Sequence, residues 1–239
     1  MCNLSPVSDF VCIDIETTGL NPKVDKIIEI GAVRVREGLP EDSIDILVNP
    51  GMPVSDRIQQ LTGISEEMLS DAPYIKEVIP KVCEFVGDDI LLGHNVLFDY
   101  SFLKRAAVNE GFPFDKKGID TLKIARKYCP GSESKCLVAL CRRYGIIHNA
   151  HRAVWDVHAT IELYEHLVHD FYTDSAREDF GPKDLIYKVK KESPITKQQK
   201  ERLLQMLERY QTTCPMEIDC MTRNEASRYM DQLVLKFGR

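Results

Sequence analysis

Residues 10–20, FVCIDIETTGL, set two carboxylates, Asp14 and Glu16, into an otherwise apolar run. Phe10 to Ile15 reads as a strand, and side chains two apart on a strand share a face, so Asp14 and Glu16 stand about 7 Å apart along one side of it. Like charges in a low-dielectric setting repel, and at least one keeps its proton unless a cation lies between them. A hard divalent ion is the natural cation; the plainer alternative is a polar, wet strand end. Outward from this stretch, Asn21-Pro22 marks a turn, residues 26–36 (KIIEIGAVRVR) form a second strand, and Ser43 to Val48 form a third ended by Asn49-Pro50-Gly51. Residues 9–49 therefore read as an antiparallel meander.

Helices follow near Pro53–Leu61, Ser65–Leu69 and Tyr74–Phe85, then a short buried strand at Ile90–Leu92. In residues 93–111, GHNVLFDYSFLKRAAVNEG, the positions Phe98, Phe102, Leu103 and Ala106 recur at helical spacing, with Gly111 as the stop. Asp99 thus lies near a helix start. Asp120 reads as an N-cap, Glu133 to Tyr144 as a helix, and Ala153 to about Phe171 as another, with Asp156 in its first turn and His151 on the loop five residues earlier. Each of the four acids sits where an element leaves the core, and an oxygen-rich cluster suits Mg²⁺ or Mn²⁺ better than zinc. Trp155 reads as packing, and His158, His166 and His169 as surface residues of the last helix.

The composition, 44% hydrophobic and 28% charged over 239 residues, fits a globular chain with one sizeable core and a small appendage. No leader pattern or long apolar run is visible, which leads to a cytoplasmic expectation. The eight cysteines form no CxxC pair and read as reduced thiols; Cys129, Cys136, Cys141, His148 and His151 match no common zinc spacing. The net charge of −6 argues against a large nucleic-acid-coating surface, yet residues 1–182 hold 19 Lys and Arg against 29 Asp and Glu, while residues 183–239 hold 12 against 8. The tail is mildly basic, which permits an acidic module with a nucleic-acid-facing appendage; a solvated helical surface is the equal alternative.

Three segments, FVCIDIETTGLNPKVDKIIEIGAV, LLGHNVLFDYSFLKR and HRAVWDVHATIELYEHL, resemble in order and separation the three exonuclease motifs of the DnaQ-like DEDDh superfamily. Residues 61–73 add a likeness to the proofreading epsilon subunit of DNA polymerase III and the exonuclease part of PolC, and the resemblance covers about residues 8–170. It implies an α/β fold with an RNase H-like mixed five-stranded sheet flanked by helices. It also implies two-metal, 3′ to 5′ hydrolysis releasing nucleoside 5′-monophosphates. Carried over by position, Asp14, Glu16 and Asp156 hold one Mg²⁺ or Mn²⁺, Asp14 with Asp99 governs a second, and His151 is the general base. Thr17 touches the terminal 3′ hydroxyl within the Thr17-Thr18-Gly19 turn, Leu20 and Phe98 pack against terminal bases, and His94 and Asn95 line the substrate path. For Phe98 the alternative is a core role, and for His94 a structural hydrogen bond.

The expected organisation is an exonuclease domain at 1–175, a connector at 176–192 and a small helical accessory domain at 193–239, the last with caps at Thr196 and Thr222. The expected partner is nucleic acid with a 3′ end, DNA in single-stranded or frayed form, together with a DNA polymerase or another replication or repair protein. An exoribonuclease resembling ribonuclease T or oligoribonuclease and a non-catalytic binding module are the rival readings.

Overall fold

The computed structural model describes residues 6–131, 134–148 and 152–238. The opening stretch forms β1 (Phe10–Thr17), which pairs antiparallel with β2 (Ile27–Arg36), and β2 pairs antiparallel with β3 (Leu39–Leu47). The meander expected from the sequence is present, and β1 runs two residues further than Ile15, taking Glu16 and Thr17 into the strand. Three short helices follow: α1 (Asp56–Thr62), α2 (Glu66–Ser70) and α3 (Ile75–Val86). Next come β4 (Leu91–Gly93), α4 (Leu97–Glu110), β5 (Lys117–Asp120), α5 (Thr121–Tyr128), α6 (Leu137–Tyr144) and α7 (Ala153–Phe171).

The sheet has six strands rather than five, in the order β3-β2-β1-β4-β5-β6, and it is mixed, with β1, β4 and β5 parallel. The added strand is β6 (Lys183–Asp184), from the stretch expected to be a connector, which also holds α8 (Arg177–Phe180). Two residues pairing with Lys117 and Gly118 are too few to leave a periodic signal. The helix expected from Glu133 starts at Leu137, capped by Cys136 in extended conformation.

Residues Phe10 to Ile13 of β1 are all buried, because successive side chains enter the cores on opposite faces of the sheet. Phe10 and Cys12 pack with Val157, Tyr164 and Leu167 of α7, while Val11, Ile13 and Ile15 pack with α3 and α4. Asp14 and Glu16 continue the α7-facing series past the apolar part, which places both at the end of the central strand. The tail adds α9 (Lys197–Arg209) and α10 (Arg223–Phe237), each opened by a reciprocal Thr/Gln or Thr/Glu capping box. Leu203, Leu207, Met221, Ala226, Met230 and Leu233 form a separate apolar cluster there. Seven cysteines fall among the described residues and all are free thiols. Among the described residues no helix is long and apolar enough to cross a membrane.

Candidate active site

The register of β1 on β2 sets Asp14 opposite Gly31 and Glu16 opposite Glu29, with a shift in pairing between Glu16 and Thr17. Such irregularities re-aim side chains at strand ends. Gly31 decides how α7 approaches: a Cβ there would lie 2.5 Å from the carbonyl carbon of Ala153, so only glycine lets the helix start close onto the sheet. Glu29, fully buried, fastens that start. One of its oxygens accepts the Ala153 N–H at 2.8 Å and the other accepts from the Arg152 guanidinium at 2.8 Å. Asp156, in the first turn above this anchor, is thereby carried over β1.

One oxygen from each of Asp14, Glu16 and Asp156 lies within 4.8 Å of the other two. Asp99 arrives from the opposite layer, on the first turn of α4, and its Oδ1 accepts the Ile15 N–H at 3.1 Å. It is 3% exposed and Asp156 8%. Asp99 is therefore clipped to the backbone between the two strand acids, beside the trio. Burial pushes the Asp14 carboxyl well above its ordinary range, and the Asp99, Asp156 and Glu16 charges push it further. Burial does the same to Asp99 against the opposing backbone hydrogen bonds, and burial followed by Asp156 and Glu29 raises Glu16 to about 8. Asp14, Glu16 and Asp99, which burial and mutual repulsion hold back from ionising together, stand with Asp156 as four hard oxygen donors, a set that fits divalent cations of the Mg²⁺ or Mn²⁺ kind, since a cation removes the reason for the first three to retain protons.

His151 lies outside the described residues, as do Asn149 and Ala150. His148, the last described residue before them, stands with Nε2 2.6 Å from Asp156 Oδ1, a contact to which sequence spacing gave no clue. The neighbouring Ile147 is 96% exposed, and Trp155, expected to pack, is half exposed.

After β1 the chain makes the Thr17-Thr18-Gly19 turn. The Thr17 hydroxyl donates to the Gly19 carbonyl at 2.6 Å, and Thr18 is doubly bonded to Lys26, donating its N–H to the Lys26 carbonyl and accepting the Lys26 N–H at Oγ1. Leu20, at its tip, is 84% exposed. Phe98 is half-buried, its ring 5.1 Å from that of Phe102. Both nitrogens of His94 have protein partners: Nε2 donates to the Lys135 carbonyl at 2.9 Å, which leaves Nδ1 to accept from the Thr121 hydroxyl at 2.9 Å. Burial lowers the pKa of this ring, in keeping with a neutral imidazole. Asn95 sits at φ +73°, and its N–H donates to Asp120, which also caps α5 as expected.

Residues 11–164 match the RNase T-type exonuclease family model. The chain is 41% identical over 158 residues to the PolC-type DNA polymerase III of Caldanaerobacter subterraneus subsp. tengcongensis, covering 65% of this chain but only 11% of that protein. It is 36% identical over 165 residues to the DNA polymerase III subunit epsilon of Aquifex aeolicus, covering 68% of this chain and 82% of that subunit. Among solved structures it is similar to exonuclease X in complex with 5′ overhanging duplex DNA, at TM-score 0.55 and 26% identity, over 72% of this chain and 99% of the other.

Proposed function

The chain belongs to the RNase T-type exonuclease family within the DnaQ-like 3′–5′ exonucleases, and from that premise we propose that it hydrolyses single-stranded DNA or frayed 3′ ends to nucleoside 5′-monophosphates. The observation that carries the site is the convergence of Asp14, Glu16 and Asp156 within 4.8 Å at the end of the central strand, with Asp99 fastened to the same strand.

In this reading Asp14, Glu16 and Asp156 hold one divalent ion, and Asp14 with Asp99 governs a second. Ions bound there would lower the pKa of a water and would offset the charge on the departing 3′ oxygen. His151, whose ordinary pKa near 6.5 suits neutral pH, takes the water's proton as the P–O3′ bond breaks and the new P–O bond forms. Thr17 contacts the terminal 3′ hydroxyl. Leu20 and Phe98 pack on the last bases, an interaction that tolerates any base. His94 and Asn95 support the substrate path by holding the β4–α4 turn to Thr121 and Asp120.

The relatives named DNA polymerase III support DNA as the polymer and a polymerase as the partner in a proofreading or repair setting. Matched DNA and RNA oligomers with 3′ ends, incubated in Mg²⁺, test the reading. Mononucleotides should accumulate faster from DNA, and Asp14→Asn should abolish their release. Preference for RNA would turn the assignment to an exoribonuclease, and full activity of the Asp14 variant would remove the site.

A further inference from the structure

A groove of about 560 Å³ opens where residues 187–192, α4 and α10 meet, lined by Lys23, Arg105, Tyr187, Lys188, Lys190 and Arg228. Of the two acids that also line it, Glu192 is already engaged, by Arg105 at 2.6 Å and by the Asn224 amide at 3.0 Å, which leaves Asp231. Lys23, Lys188, Lys190 and Arg228 form no ion pair among the described residues. In a chain of net charge −6, four uncompensated cations around one recess are a local reversal of sign.

The groove is built into the exonuclease framework. The Arg105 guanidinium also donates to the Lys23 carbonyl at 3.1 Å, and the Glu192 N–H donates to Asn109 at 3.0 Å, so loop, helix and tail are tied together at its floor. It also starts close to the acids. Lys23 follows Leu20 by three residues, and Arg105 follows Asp99 by six residues of α4, a rise of about 9 Å, or roughly three stacked nucleotides at 3.4 Å each. Cations along a recess with an aromatic ring, here the half-buried Tyr187, are the combination that holds a single strand by its phosphates and one base face.

We infer that this groove receives the single-stranded stretch lying 5′ to the nucleotide being removed, with its phosphates against Lys23, Lys188, Lys190 and Arg228 and a base against Tyr187. The inference rests on the reading that a polynucleotide 3′ end enters the carboxylate site. The tail thereby becomes part of the substrate grip, and the basic charge of residues 183–239 acquires a place.

The test uses the full chain and 5′-fluorescein oligothymidylate of twenty residues in EDTA, so that binding is read by anisotropy without hydrolysis. Lys188→Glu/Lys190→Glu/Arg228→Glu should weaken binding at least tenfold and reduce the slope of log affinity against log salt by about 2. In Mg²⁺ the same protein should hydrolyse the p-nitrophenyl ester of thymidine 5′-monophosphate, too short to reach the groove, at the wild-type rate. Should the triple variant fail to fold, the milder Lys188→Gln/Lys190→Gln should weaken binding several-fold in the same direction. Unchanged affinity and salt slope in the folded variant overturn the groove. Loss of binding to fluorescein-labelled polyglutamate with oligothymidylate binding intact also overturns it, in favour of an acidic protein partner. A wild-type protein that binds the oligomer through the groove yet cleaves neither substrate would refute the exonuclease chemistry and spare the groove.

Discussion

Glu16 is held toward its protonated form by burial first and by its acidic neighbours second. Its ordinary pKa of 4.5 is raised to about 8 by burial first and by Asp156 and Glu29 next. Between those values the folded chain holds a proton that the unfolded chain has released, so metal-free stability falls as pH rises across the window. Calorimetry in EDTA should show Tm declining from about pH 5 to about pH 8, a shallower decline in Glu16→Gln, and a Mn²⁺-induced rise that is larger at pH 8 than at pH 5. A flat EDTA profile with a pH-independent metal effect would contradict this. The two histidines that precede Asp156 in the sequence, His148 and His151, separate by their kinetics. His151→Ala should lower kcat by about 10² to 10⁴. His148→Ala, acting through Asp156, should raise the Mg²⁺ needed for half-maximal rate by about 10- to 100-fold and leave kcat at saturating metal within a few-fold. The reverse pattern exchanges their roles. Asp14 and Glu16 could be paired from sequence because a strand's period of two is local. The Glu29–Arg152 bond joins residues 123 apart and the His148–Asp156 contact is set by a loop, so neither leaves a pattern along the chain.

At the level of elements, catalytic geometry depends on how closely α7 and α4 grip opposite faces at the end of β1. The apolar runs that announced β1 and β2 and the helical spacing after Asp99 and Ala153 were legible because their buried residues lie close together along the chain, whereas β3, with no buried residue, was marked by the Asn49-Pro50-Gly51 that ends it. Strand β5, four residues reading Lys-Gly-Ile-Asp, and the two-residue β6 were not, since their pairing comes from neighbours already in place. The close approach at Gly31 makes a sharp test. Gly31→Ala places a methyl 2.5 Å from backbone that cannot rotate aside, so α7 must lift and Asp156 with it. The expected result is a loss of about 1–3 kcal/mol in stability and of about 100-fold in kcat, with helix content by circular dichroism unchanged. Wild-type turnover in a folded Gly31→Ala protein would mean that the carboxylate trio tolerates a shifted helix.

Across the whole molecule, the split in charge between residues 1–182 and the tail was visible in composition, but the surface it serves was not, because Lys23, Arg105, Lys188 and Arg228 meet only through tertiary contacts. What sets the tail on the exonuclease framework is a small number of polar ties. The Glu217 N–H donates to the Gly51 carbonyl at 2.7 Å, and Lys26 forms an ion pair with Glu225, a residue 7% exposed that at the same time closes the capping box of α10 through the Thr222 N–H. Burial works to raise the Glu225 pKa, yet Lys26 and the hydrogen bonds outweigh it and hold the carboxyl below its ordinary 4.5. A depressed carboxyl contributes stability above its unfolded value and loses it as pH falls. Glu225→Gln should therefore lower Tm at pH 7, and its gap from wild type should close as the pH drops below about 4. Because Lys26 is partly exposed, the coupling between Lys26→Met and Glu225→Gln should be about 1 kcal/mol in a double-mutant cycle. Since the Lys26 N–H also braces Thr18, loosening this pair should reach the turn beside the carboxylates and raise KM for oligonucleotides more than it lowers kcat. Strict additivity of the two substitutions, with KM unmoved, would show that the tail is held by its other contacts and that its docking is not felt at the site.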